Sequence, residues 1–152
     1  MTSVVIRRAE LKDIPILVDL YSKWMGERLV EQSGFEWDAN RTTLLVIKNL
    51  QAGVYFIAEE GDRVVGAIGA TLDRWMENDY QILKEVYYWV DPEQRGDGTG
   101  SRLITAIEDL GRQLKVAIVM MYDVNPNESG SLDMFYKNRG YKPVQMQYWK
   151  WI

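Results

Sequence analysis

At 152 residues, 47% of them hydrophobic and 26% charged, the chain can bury a full core, and its composition excludes a disordered polymer. A net charge of −4 argues against a nucleic-acid partner, whose surface would show clustered Lys and Arg. The absence of Cys and His excludes disulfides, thiolate metal sites, a cysteine nucleophile and a Ser-His-Asp arrangement, so acid–base chemistry falls to carboxylates, tyrosines, lysines or water.

SVVIRRAE (3–10) predicts a short strand, and ELKDIPILVDLYSKWMGERL (10–29) a helix with Ile14, Leu17, Val18, Tyr21 and Met25 on one face. EQSGFEW is a break. Asp38 is placed to N-cap a second helix through NRTTLLVIKNLQA (40–52), with Gly53 ending it. VYFIAEEGDRVVGAIGATL (54–72) reads as two strands joined at EEGDR, and ILKEVYYWV (82–90) as another that ends at the Asp91-Pro92 turn. Leu103, Ile104, Ile107 and Leu110 share a face in GSRLITAIEDLGRQL (100–114), which predicts a helix. VAIVMMYDV (116–124) is nearly all apolar, as a strand buried on both faces is. SLDMFYKNRGY (131–141) predicts a short helix stopped at Gly140, and KPVQMQYWKWI (142–152) a final strand pair or an extended arm.

The middle strands are expected to be antiparallel, while the strand, loop, helix and strand at 82–124 require a parallel crossover. No repeat or linker interrupts the chain, so one mixed α/β domain spanning 1–152 is expected. The start, MTSVVIRRAELKD, lacks a signal-peptide apolar stretch, and no apolar run reaches membrane-spanning length. A soluble cytoplasmic protein with no membrane partner is expected.

Between the 82–90 strand and the next helix, RGDGTGS sets Gly96, Gly98 and Gly100 at alternate positions. Amides from Gly96 to Ser101 that converge on a helix start make an anion site, and phosphate is its usual occupant. The plainer alternative is a tight turn that tolerates glycine, at a high cost in unfolded-state entropy. A P-loop is excluded because no Lys follows the last glycine. A dinucleotide fingerprint has different spacing, and fewer than 30 residues follow Asp123, too few for the remaining βαβ units. The stretch DVNPNESGS resembles a calcium loop only in its first half, since Glu128 and Met134 stand where that motif needs Gly and Glu.

Arg95-Gly96-Asp97-Gly98-Thr99-Gly100 matches the pattern Arg or Gln, two residues, Gly, one residue, then Gly or Ala. Together with MFYKNRGY forty residues on and the element order, this resembles the GNAT superfamily of acyl-CoA-dependent N-acetyltransferases over nearly the whole chain. The resemblance implies a mixed central sheet whose parallel fourth and fifth strands splay apart, flanked by helices. It implies acetyl-CoA as cosubstrate, without a metal, its pantetheine arm on the backbone of Tyr88, Trp89 and Val90. The diphosphate would lie at Arg95, Gly96, Asp97, Gly98, Thr99, Gly100 and Ser101.

The same resemblance implies direct attack of an amine on the thioester. Tyr136 would protonate the leaving thiolate, with the Val90 amide on the carbonyl oxygen; the alternative for Tyr136 is a core tyrosine beside Phe135. Glu85 is the candidate base, against the alternative of a solvated strand residue beside Lys84, and Asp123 or no residue at all is the next choice. Ser129 stands where many family members carry Asn, which puts one pantetheine contact in question.

The acceptor slot would come from the first two helices and their connection, with Trp24, Phe35 and Trp37 among Glu27, Glu31, Glu36 and Asp38. Aromatic rings with carboxylates suit an amine, small-molecule or peptide, and disfavour an acidic acceptor; the alternative is that the rings pack and the acids are solvated. The tail QYWKWI suits packing or a homodimer contact. A non-catalytic acyl-CoA sensor of the same fold is the competing function.

Overall fold

Short connections between apolar strands fix two of the four neighbouring pairs in the sheet, and helices bridge the other two. The structure is a computed structural model that describes residues 3–26, 36–123, 131–145, 147, 148, 150 and 152. Its contacts divide the chain into two compact units, Met1–Tyr122 and Asp123–Ile152.

The first unit holds a five-stranded sheet in the order β1 (Val4–Arg8), β2 (Gly53–Glu60), β3 (Arg63–Arg74), β4 (Gln81–Val90) and β5 (Ile118–Met120). The first three pairings are antiparallel and β4–β5 is parallel, as the crossover requires. Gly61, at φ +62°, supplies the left-handed residue of the tight β2–β3 turn.

Helices α1 (Ile14–Met25) and α2 (Ala39–Ala52) precede the second strand, and α3 (Thr99–Leu114) makes the crossover. Asp38 caps α2 as expected, its Oδ1 accepting the amides of Asn40 and Arg41 at 2.9 and 3.1 Å. Gly53 does end that helix, but its backbone is already extended and opens β2 without a loop.

Helix α1 starts later than its periodicity suggests. A 3-10 turn, Leu11–Asp13, precedes it, with Glu10 and Asp13 forming a reciprocal capping box. Asp13 also accepts both arms of the Arg7 guanidinium at 2.9 Å, while Glu59 accepts from Arg7 at 2.7 Å. This cluster ties the start of α1 to β1 and β2. The Arg7 bond holds the Asp13 carboxyl below its ordinary range. Its stabilisation is therefore complete above the unfolded carboxylate pKa of about 3.9 and is lost as pH falls through the lower folded value. Asp13→Asn is expected to cost about 1 kcal/mol in urea unfolding at pH 7. That deficit should begin to shrink below about pH 4, where Asp13 of the unfolded chain takes up a proton, and should vanish once pH falls below the lower folded value.

Successive residues of β4 face opposite sides of the sheet. Tyr87 meets Tyr21 edge-on at 5.3 Å and Trp24 at 6.4 Å, so α1 covers one face. Tyr88 points to the N-terminal end of α3, and Leu103 of α3 lies over Gly66 of β3 on that same opposite face. Leu103, Ile104 and Ile107 are fully or almost fully buried there, each worth about 1.5–3 kcal/mol of transfer free energy.

Two expectations change. β5 is three residues long instead of nine, and Ile118 is exposed, because the strand pairs β4 only at Ile82–Lys84 and stands at the sheet's edge. Among the described residues after Asn138 no strand is present. In the second unit α4 (Ser131–Asn138) is the expected short helix. Gly140, at φ +89°, closes it, its amide donating to the Lys137 carbonyl and the Tyr141 amide to that of Tyr136.

Candidate active site

β4 loses its neighbour halfway along. β5 pairs only with Ile82, Leu83 and Lys84, and from Glu85 to Val90 no strand among the described residues pairs with that edge. Glu85 sits where the ladder stops. Its buried carboxylate accepts the Tyr122 backbone amide at 2.8 Å, so a side chain continues the link that strand pairing has dropped. This removes the alternative of a solvated strand residue.

Immediately after Glu85 the β3–β4 register shifts: Ala70 faces Glu85, Gly69 faces Tyr87, and Val86 is the extra residue of a bulge. The bulge resets which backbone groups face outward. The Asp91 amide donates to the Val65 carbonyl at 2.9 Å, so that pair is hydrogen-bonded. By the alternation of an antiparallel ladder, Val90 and Tyr88 turn their N–H and C=O away from β3, whereas Trp89 spends both on Ala67. Two of the three expected backbone sites thus face the open edge. Trp89 is corrected: its backbone belongs to the sheet.

The glycine loop follows the open edge directly. Gly96 and Gly98 adopt φ of +90° and +94°, which only glycine takes without strain, with open space where a Cβ would stand. Gly100 has a different reason: a Cβ there would fall on the Tyr88 hydroxyl. Among the described residues the amides of Gly96, Gly98 and Gly100 donate to no other group. The Thr99 amide donates to the Asp97 carboxylate at 2.8 Å, so Asp97 braces the turn and takes one amide out of the expected row. Ser101 stands in the first turn of α3, where helix amides lack intrahelical acceptors.

Arg95 lies at the junction of strand and loop. Its Nε donates to the Val90 carbonyl at 2.9 Å, and its guanidinium rests 4.8 Å from the centre of the Trp89 ring. Beyond Glu85, Tyr88 and Val90 therefore direct their backbone groups away from β3, and Arg95 closes the Val90 carbonyl. An extended chain laid there finds β-ladder partners, and an anion at its end finds amides and the positive end of a helix.

A model of the acetyltransferase (GNAT) family matches residues 17–141. The chain belongs to the GNAT acetyltransferase family. It is an acyltransferase, and the matched span crosses both compact units. No curated protein matches it in sequence. Solved structures share the fold at low identity. A possible acetyltransferase of Clostridium difficile 630 is 19% identical, with 98% of this chain and 97% of that one covered at TM-score 0.75. A predicted acetyltransferase of Clostridium acetobutylicum, solved with acetyl-CoA, is 15% identical over 97% and 96% at TM-score 0.77. An aminoglycoside acetyltransferase from an uncultured soil metagenomic sample, in complex with sisomicin, is 18% identical over 98% and 96% at TM-score 0.71.

The acceptor residues of this GNAT chain divide. Trp24 is buried against Tyr21 at 5.3 Å and belongs to the core. Trp37, Glu36 and Asp38 line a cavity of about 170 Å³ with Tyr21 and Arg41. Glu27, Glu31, Phe35 and Ser129 lie outside the described residues. In the second unit Tyr136 is buried, with ring contacts to Phe135 at 5.8 Å and Tyr141 at 5.6 Å. No helix among the described residues is long and apolar enough to cross a membrane. Sequence reasoning missed the Val86 bulge and the bracing roles of Asp91 and Asp97. Asp91-Pro92 signalled only a turn, and Asp97, two residues before Thr99, carried the one local signal.

Proposed function

We propose that this GNAT chain, read as one domain, transfers an acetyl group from acetyl-CoA to a primary amine by direct attack in a ternary complex. The observation that carries it is the stretch of β4 beyond Lys84, which β5 does not reach and whose Val90 amide turns away from β3; it leads into a loop whose Gly96, Gly98 and Gly100 amides donate to no group among the described residues. These residues fit the cosubstrate: Tyr88 and Val90 would hold the pantetheine arm, with Ser129 as a further contact. Arg95 and the amides of Gly96, Gly98, Gly100 and Ser101 would hold the diphosphate.

Acetyl-CoA supplies an electrophilic thioester carbonyl, and the protein has three tasks around it. Glu85 receives a proton from the incoming amine, directly or through water, at the carboxylate that also holds the Tyr122 amide. The outward Val90 amide donates to the carbonyl oxygen as charge develops there. Tyr136 gives its phenolic proton to the sulfur as the new C–N bond forms and the C–S bond breaks. The acid and aromatic lining around Trp37, Glu36 and Asp38 supports a cationic small-molecule acceptor, such as a polyamine or an aminoglycoside.

The test follows thiol release from acetyl-CoA with a panel of amines. Tyr136→Phe is expected to lower kcat about a hundredfold while the Kd for CoA stays within about twofold. An unchanged kcat would remove Tyr136 as the acid.

A further inference from the structure

We infer that Trp89 is a positioning residue for diphosphate binding and acts through Arg95, an inference that rests on the loop assignment made under Proposed function. With its backbone committed to Ala67, what Trp89 can contribute is its indole. The indole Nε1–H donates to Asp91 Oδ1 at 3.2 Å, and Asp91 Oδ2 accepts from Arg63 at 2.8 Å. Asp91 is fixed in turn by its own amide on Val65. Arg63 answers the charge of this buried carboxylate, so the anchor carries a compensating partner.

The result is a ring locked in plane and angle by groups on both β3 and β4. Its face carries the Arg95 guanidinium, while Arg95 Nε holds the Val90 carbonyl. An arginine that must be ordered by its ligand loses side-chain entropy on binding. Laid on a fixed ring and pinned to the strand, Arg95 has lost much of that freedom beforehand, at the residue where the glycine loop begins. Arg63, Asp91 and Trp89 thus form a chain of contacts that ends at Arg95, where the loop begins.

Calorimetric titration with CoA of the wild type, Trp89→Leu, Arg95→Gln and the double variant tests this. Each single substitution is expected to raise Kd about tenfold. The double variant should lie within about threefold of the weaker single, because both changes remove one contact. Trp89→Phe, which keeps a ring beneath the guanidinium, should recover most of the affinity. Effects that multiply to about a hundredfold, or a Trp89→Leu variant with unchanged Kd, would overturn the inference while leaving the loop assignment standing. If Trp89→Leu does not fold, Asp91→Asn takes its place in the same cycle with the same expectation of non-additivity. A wild type that does not bind CoA removes the loop assignment and this inference together, and that result is visible before any variant is made.

Discussion

Exchanging Glu85 for glutamine is expected to leave stability within about 0.5 kcal/mol of wild type while lowering kcat about a hundredfold or more. The two effects separate because the carboxylate does two things. As an acceptor for the Tyr122 amide it holds the chain beyond β5 to β4, and a glutamine carbonyl oxygen can do the same. As a proton acceptor it has no counterpart in an amide. Glu85→Ala removes both and should cost about 1–3 kcal/mol, because a backbone donor loses its buried acceptor. Urea unfolding of the three proteins, with thiol release at saturating acetyl-CoA, separates the roles. A glutamine variant with wild-type kcat would move the base to Asp123 or to solvent and leave Glu85 as the brace that ties Tyr122 to β4.

Gly100→Ala is expected to destabilise the protein by about 1–3 kcal/mol and to weaken CoA binding at least tenfold. The alanine methyl would fall on the Tyr88 hydroxyl. Either the ring leaves the α3 face of β4 or the first turn of α3 lifts away, and both disturb the loop. The remedy is specific. In a Tyr88→Phe background the hydroxyl is gone, and the nearest remaining atom of that ring stands 3.4 Å from the new methyl, an ordinary contact. The double variant should therefore recover most of the lost stability, which thermal unfolding can measure. If Gly100→Ala melts like wild type, the Tyr88 ring is not seated at the start of α3 as described.

What the sequence disclosed was what local chemistry decides. Asp38 caps α2 through its immediate neighbours, and the periodicity at Leu103, Ile104 and Ile107 belongs to one helix, so both were readable. The glycine spacing was readable as a loop, yet its reasons were mixed. Gly96 and Gly98 serve backbone conformation, whereas Gly100 serves a tyrosine twelve positions earlier that reaches it only because a bulge sets the face of Tyr88. A bulge is a mismatch between two strands, and neither strand announces it alone. The same holds for Glu85: in sequence a base and a solvated residue beside Lys84 are both open, and its burial and its bond to the Tyr122 amide appear only in the fold. Trp24 and Trp37 have equal claims on an acceptor slot by residue type. Packing separates them, since Trp24 lies against the Tyr21 and Tyr87 rings and Trp37 remains exposed.

The outer edge of β4 and the glycine loop are together expected to bind acetyl-CoA. Thermal unfolding in the presence of acetyl-CoA, CoA, NAD or ATP tests this most directly, because a ligand that binds only the folded state raises Tm. Acetyl-CoA and CoA are expected to raise Tm, with NAD and ATP without effect. No shift with either CoA compound, or a shift with NAD in their place, would contradict the assignment of this loop and edge to the cosubstrate.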